Sequence, residues 1–244
     1  MKRTRRQRTA TSPEFTTESV GLDPALYAQA LQCLFDRPEP NEQQQDWFWP
    51  DEAPENFNPS PLEWTRIQTV LFANAGAHLA PYSNEQVGMG LGYVMGSPAS
   101  DIPFAVCASS VPEAEGLAML QAMPRLWRDC FGPRLATVHA PIGSDTGGRL
   151  GYACYMWFDV WPTLWNMRHR QSWRDAAWHV LEELLAMPVR VVQISALHGI
   201  GHWVNELDHH DDINRSITAF VKRLGNSDKE LSQYAEAARS GRVQ

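Results

Sequence analysis

The feature that most constrains this fold is apolar spacing of helical period near the C-terminus. Ile213, Ile217, Phe220, Val221 and Leu224 recur at i, i+4, i+7, i+8 and i+11. That spacing puts them on one face of a helix and on no common face of a strand. Trp173, Ala177, Val180, Leu181 and Leu184 form a second such face. After Pro188, the residues Val191, Val192, Ile194, Ala196 and Leu197 read as a helix buried nearly all round. Successive helices joined by short turns predict an all-α chain of stacked antiparallel helices. It would be either a right-handed HEAT- or armadillo-like array or an irregular helical domain. No strict internal repeat is visible. The apolar and aromatic stretch 150–160 fits a buried strand as well as a helix by pattern alone.

Start signals place further helices. Asp23 before Pro24 predicts a helix over 24–35, with Asp23 as N-cap and proline at the first helical position. Another runs from Pro61 to near His78. Ser83, Ser110 and Ser227 each precede Gln or Glu by three residues, the spacing of a capping box. Pro124 interrupts the stripe Leu117, Leu120, Met123 and Trp127 and is expected to split that helix. Gly88, Gly92 and Gly96 recur at four-residue steps, which favours close approach of a neighbouring helix over a phosphate loop.

Between the first two helices, residues 36–61 change character. They hold six prolines and seven acids against the single Arg37, with Trp47, Phe48, Trp49 and Phe57 interleaved. This reads as a long acidic-aromatic loop. Residues 1–20 read as a disordered basic tail, and 21–244 as a single helical domain. The chain carries 21 Lys and Arg against 28 Asp and Glu, a net charge of −7. Five of the cations are Lys2, Arg3, Arg5, Arg6 and Arg8, so the remaining body stands at −12. Such a body repels nucleic acid and anionic membrane and favours a basic protein partner. Nucleic-acid binding through the tail is the weaker alternative. No run approaches the roughly 18 apolar residues of a membrane span. Cys33, Cys107, Cys130 and Cys154 lie far apart and read as reduced thiols of a cytoplasmic protein.

Two segments stand out chemically. In His198-Gly199-Ile200-Gly201-His202 the two imidazoles share a helix face at i, i+4. Gly199 stands where a zinc peptidase needs glutamate, so the glycines are expected to pack or end the helix while the imidazoles cap carbonyls. No metal and no cofactor is therefore expected; if a metal were held, its ligands would be His198, His202 and Asp208. Asp211 or Asp212 is expected to N-cap the helix that follows. In the loop, Trp47 and Trp49 with Asp46, Asp51 and Glu52 have the composition of a docking segment for a basic partner. Asp145-Thr146-Gly147 reads as a turn. Trp157, Trp161, Trp165, Trp173 and Trp178 read as core.

The stretches 154–162 (CYMWFDVWP) and 195–203 (SALHGIGHW) resemble paired motifs of an uncharacterised bacterial helical-repeat, HEAT-like family over residues 60–224. The resemblance implies a bacterial origin and a helical-repeat fold; some proteins of this type accompany toxins as immunity partners. The expectation is a non-catalytic interaction protein of the bacterial cytoplasm, with an immunity protein for a basic toxin as the specific case. A metal-dependent hydrolase centred on 198–202 is the alternative.

Overall fold

The computed structural model describes residues 14–39, 46–48, 57–98, 100–144 and 147–243. The described residues form an all-helical array with no strand among them. In chain order the helices are α1 (Pro24–Phe35), α2 (Pro61–His78), α3 (Asn84–Met95), α4 (Glu113–Ala122), α5 (Pro124–Leu126), α6 (Gly132–Leu135), α7 (Gly148–Val160), α8 (Pro162–Met167), α9 (Gln171–Ala186), α10 (Arg190–Trp203), α11 (His210–Leu224) and α12 (Lys229–Arg239). A 3-10 segment (Ile102–Cys107) precedes α4, and a π turn (Trp127–Phe131) joins α5 to α6. The stretch 150–160 is thus helical.

Local chemistry explains most boundaries. Asp23 accepts from the Ala25 N–H with Pro24 at the first position of α1. Ser60 and Glu63 form a reciprocal capping box on α2, as do Ser83 and Gln86 on α3. Two expected caps are corrected. Ser110 does not cap α4, which starts at Glu113 after an extended Pro112; proline disfavours helical geometry at the residue before it, so Val111 cannot open the helix. On α12 the cap is Asp228, whose carboxylate accepts from Leu231 N–H, and not Ser227. Neither Asp211 nor Asp212 caps α11. Both lie in its first turn, where carboxylates favour the positive end of the helix dipole.

The tail is shorter than expected. Residues 14–20 are folded: Phe15 is buried, its carbonyl accepts from Asn74 Nδ2 at 2.8 Å, and Thr16 and Ser19 cap each other. An aromatic side chain ahead of α1 is enough to hold this segment on the core. Residues 1–13 lie outside the described residues.

Helix α10 is the centre of the array, packed against α7, α9 and α12. Its burial on every face, Val192 through Gly201, agrees with its all-round apolar sequence. The Trp127 indole donates to Ser195 Oγ at 3.0 Å, and that hydroxyl donates to the Cys154 carbonyl at 2.6 Å, so one polar chain ties the π turn, α10 and α7 together inside the core. Around it Trp127 stacks on Phe158 and meets Trp157 edge-on. Trp157, Trp161, Trp173 and Trp178 are buried, as expected; Trp165 is not, at 53% exposed. All four cysteines are free.

Close approach fixes several glycines. A Cβ on Gly199 would lie 2.7 Å from Leu181 Cδ2 and 2.8 Å from Phe158 Cγ, so only glycine lets α10 seat between α7 and α9. Gly88 and Gly90 meet Leu150 and Phe35 in the same way, whereas nothing lies within 4 Å of a Cβ at Gly92.

Candidate functional site

Helices α7 and α10 run parallel, because Tyr155 faces His198 and, one turn on, Asp159 faces His202. The glycines do not end α10, which continues through Trp203, and neither imidazole caps a carbonyl. His198 is 1% exposed. Its ring stacks on Tyr155 at 4.1 Å and meets His202 edge-on at 4.5 Å. Its Nδ1 lies 2.7 Å from the Tyr234 hydroxyl on α12, which lies 3.1 Å from the Tyr155 hydroxyl. Burial, reinforced by the neighbouring His202, pushes the His198 imidazole down to about 4, so it is neutral near pH 7. Burial and the Tyr155 contact hold the Tyr234 phenol above its ordinary range.

The other nitrogen, His198 Nε2, is buried and has no hydrogen-bond partner among the described residues. If Tyr234 donates to Nδ1, then Nε2 bears the ring proton and lacks an acceptor. If Nδ1 donates to Tyr234, then Nε2 presents a lone pair and lacks a donor. Either way one polar atom is left over in the interior, which is uncommon. Beside it, His202 Nδ1 and Asp159 Oδ1 stand 3.5 Å apart, each side chain about one third exposed at 32% and 35%. One candidate ligand atom from each of Asp159, His198 and His202 lies within 4.8 Å of the other two, and no second such cluster occurs among the described residues. Asp208, the third ligand expected from sequence, is not in it. That residue is exposed past the end of α10 in a left-handed conformation, φ 60°. His209 is held elsewhere, between Asp175 at 2.9 Å and Asp212 at 3.2 Å, with its ring over Trp178.

The same α7–α10 groove holds, towards the helix N-termini, a cavity of about 400 Å³ lined by Val138, Ile142, Tyr155, Met156, Val191 and Ile194 among others. Arg190 at its edge is neutralised by Asp228 at 2.7 Å and Glu230 at 2.6 Å.

The acidic-aromatic loop turns inward where it is described. Asp46 pairs with Arg149, which also holds Glu85 at 2.9 Å. Trp47 packs on Tyr93 with ring centroids 4.8 Å apart and lies under the Arg37 guanidinium at 4.4 Å. Trp49, Asp51 and Glu52 lie outside the described residues, as do Asp145 and Thr146.

A large exposed aromatic occurs instead on α8, at a position the sequence assigned to core. Trp165 is braced by Arg168, whose guanidinium stands 3.6 Å from the ring centroid and pairs with Glu206 at 3.6 Å. Glu206 opens the acidic stretch that continues through Asp208, Asp211 and Asp212. The signal that could have found it is the shortness of α8, since a helix of six residues between Pro162 and the turn before α9 cannot bury every side.

No protein family matches the chain, and no curated protein and no solved structure matches it significantly. No helix of the described residues is long and apolar enough to cross a membrane.

Proposed function

We propose that this chain is a non-catalytic protein-interaction protein of the bacterial cytoplasm that binds a basic protein, with a toxin-neutralising immunity protein as the specific case. The observation that carries the reading is Trp165: an exposed indole held in one orientation by Arg168, beside the acids of 206–212. Tryptophan is the residue type most enriched among interface anchors, and a pre-oriented ring loses little side-chain entropy on binding. The −12 charge of the body beyond residue 8 steers a cationic partner towards such a surface. The immunity assignment draws on the resemblance of 154–162 and 195–203 to the HEAT-like family.

Asp46 and Trp47 are used internally, so the anchor role passes from the loop to α8; Trp49, Asp51 and Glu52 stay as candidates for a second contact. The test is co-purification of the tagged chain from its native host, with the partner identified. A partner of high isoelectric point is expected, retained by the wild type and lost from Trp165→Ala. Triple neutralisation of Asp208, Asp211 and Asp212 should slow association at low salt and have little effect at high salt. A partner held equally well by Trp165→Ala would remove α8 from the account, and an acidic partner would overturn the charge argument.

A further inference from the structure

We propose that Asp159, His198 and His202 form a binding site for a divalent transition-metal ion of the zinc type at the α7–α10 seam. The inference is independent of the partner-binding reading. Its first support is donor chemistry. Two imidazoles and one carboxylate are the set that Zn²⁺ and its neighbours accept, at about 2.0–2.1 Å to nitrogen and oxygen. Tetrahedral bonds of that length separate adjacent ligand atoms by about 3.3 Å. His202 Nδ1 and Asp159 Oδ1 already stand 3.5 Å apart. The widest separation in the cluster, up to 4.8 Å, must close by up to about 1.5 Å. The side chains able to move are the exposed ones, His202 and Asp159, whereas His198 is buried between Tyr155 and Tyr234.

The second support is the orphaned Nε2 of His198. In metal sites the ring nitrogen that does not bind the ion almost always donates its proton to an oxygen, which fixes the tautomer. Here Nδ1 faces the Tyr234 hydroxyl at 2.7 Å, and that hydroxyl has Tyr155 to donate to at 3.1 Å. Donation from Nδ1 to Tyr234 leaves a lone pair on Nε2, inside the protein, next to His202 and with nothing else to accept it. A cation gives that atom the partner that the described residues do not. Three protein donors leave a fourth position, and the exposure of His202 and Asp159 lets water fill it, so the site is open and not a closed four-ligand one.

The test uses the full chain, freed of metal with a chelator and titrated with Zn²⁺ in competition with a chromophoric chelator near pH 7.5. One equivalent is expected to bind, and zinc at a hundredfold excess over its dissociation constant is expected to raise Tm by roughly 5 °C or more. Asp159→Asn and His202→Asn change exposed side chains and should keep the helical circular dichroism while weakening binding at least about tenfold. Tyr234→Phe, which removes the oxygen that positions His198, should weaken it by about ten- to a hundredfold. His209→Ala should leave it unchanged. Binding well below one equivalent overturns the proposal. So does one-equivalent binding that survives both Asp159→Asn and His202→Asn, or that is lost in His209→Ala.

Discussion

The hydroxyl of Tyr234 lies 2.7 Å from Nδ1 of His198, so a residue of α12 satisfies one of the two nitrogens of the buried imidazole of α10. The same hydroxyl lies 3.1 Å from that of Tyr155, so α12 touches both helices of the α7–α10 seam through one oxygen.

Removing that hydroxyl isolates a buried nitrogen. Leaving a buried donor or acceptor without its partner costs about 1–3 kcal/mol. Tyr234→Phe is expected to keep the helical spectrum and lower Tm by several degrees in metal-free buffer. An unchanged melting curve would show that water replaces the hydroxyl and that the contact is not a structural one.

Part of the acid limb of stability should trace to Asp228. Burial pushes this carboxyl up, but the hydrogen bonds from Arg190 and the Leu231 N–H outweigh it, and the group sits below its ordinary 3.8 in the folded chain. A carboxyl with a lowered folded value contributes stability that is fully present above the unfolded value. That contribution is lost as pH falls through the folded value. Melting temperatures measured from pH 6 down to pH 2 should therefore fall less steeply in Asp228→Asn, since asparagine keeps the N-cap and has no proton to take up. Parallel curves for the two proteins would place the acid sensitivity elsewhere.

Two glycine-to-alanine changes should move stability in opposite directions. At Gly199 the new methyl meets Leu181 and Phe158 below 3 Å, and overpacking of this kind costs roughly 1–3 kcal/mol. At Gly92 nothing lies within 4 Å and the residue is helical, so alanine should add roughly 0.5–1 kcal/mol through propensity. Urea midpoints with equal slopes would report both shifts directly.

Two tryptophans separate folding from binding. Trp47→Ala removes a ring packed on Tyr93 and Arg37 and should lower Tm by several degrees. Trp165→Ala removes a ring that is half exposed, and Tm should move by no more than about one degree while partner binding is lost. The reverse pattern would return the anchor to the loop.

Local signals made much of the fold legible, although the capping patterns at Ser110 and Ser227 were overridden by Pro112 and Asp228. Asp23–Pro24 opened α1, and the stripe Ile213, Ile217, Phe220 faces the core from α11. Pro124 splits the stripe as expected, with α4 ending at Ala122 and α5 starting at the proline. What was hidden is tertiary. His198 and His202 could be paired from their spacing, but the carboxylate that joins them comes from α7, and only the parallel packing of two helices distant in sequence brings Asp159 there. Asp208 was nearer in the chain and further in space. Likewise, nothing in the letters of the acidic-aromatic loop distinguishes a tryptophan offered to a partner from one claimed by Arg37 and Tyr93.

The parallel seam has a consequence for synthesis. A nascent chain released as far as Leu224 holds α7, α9 and α10, yet the imidazole of His198 faces water on the side that α12 will cover. Domains fold as their residues emerge, at about 5–20 residues per second. The array is therefore closed only once residues 225–239 have followed Leu224, about 1–3 seconds later at that rate, and during that interval its most polar interior position is open to any ion the ribosome's surroundings supply.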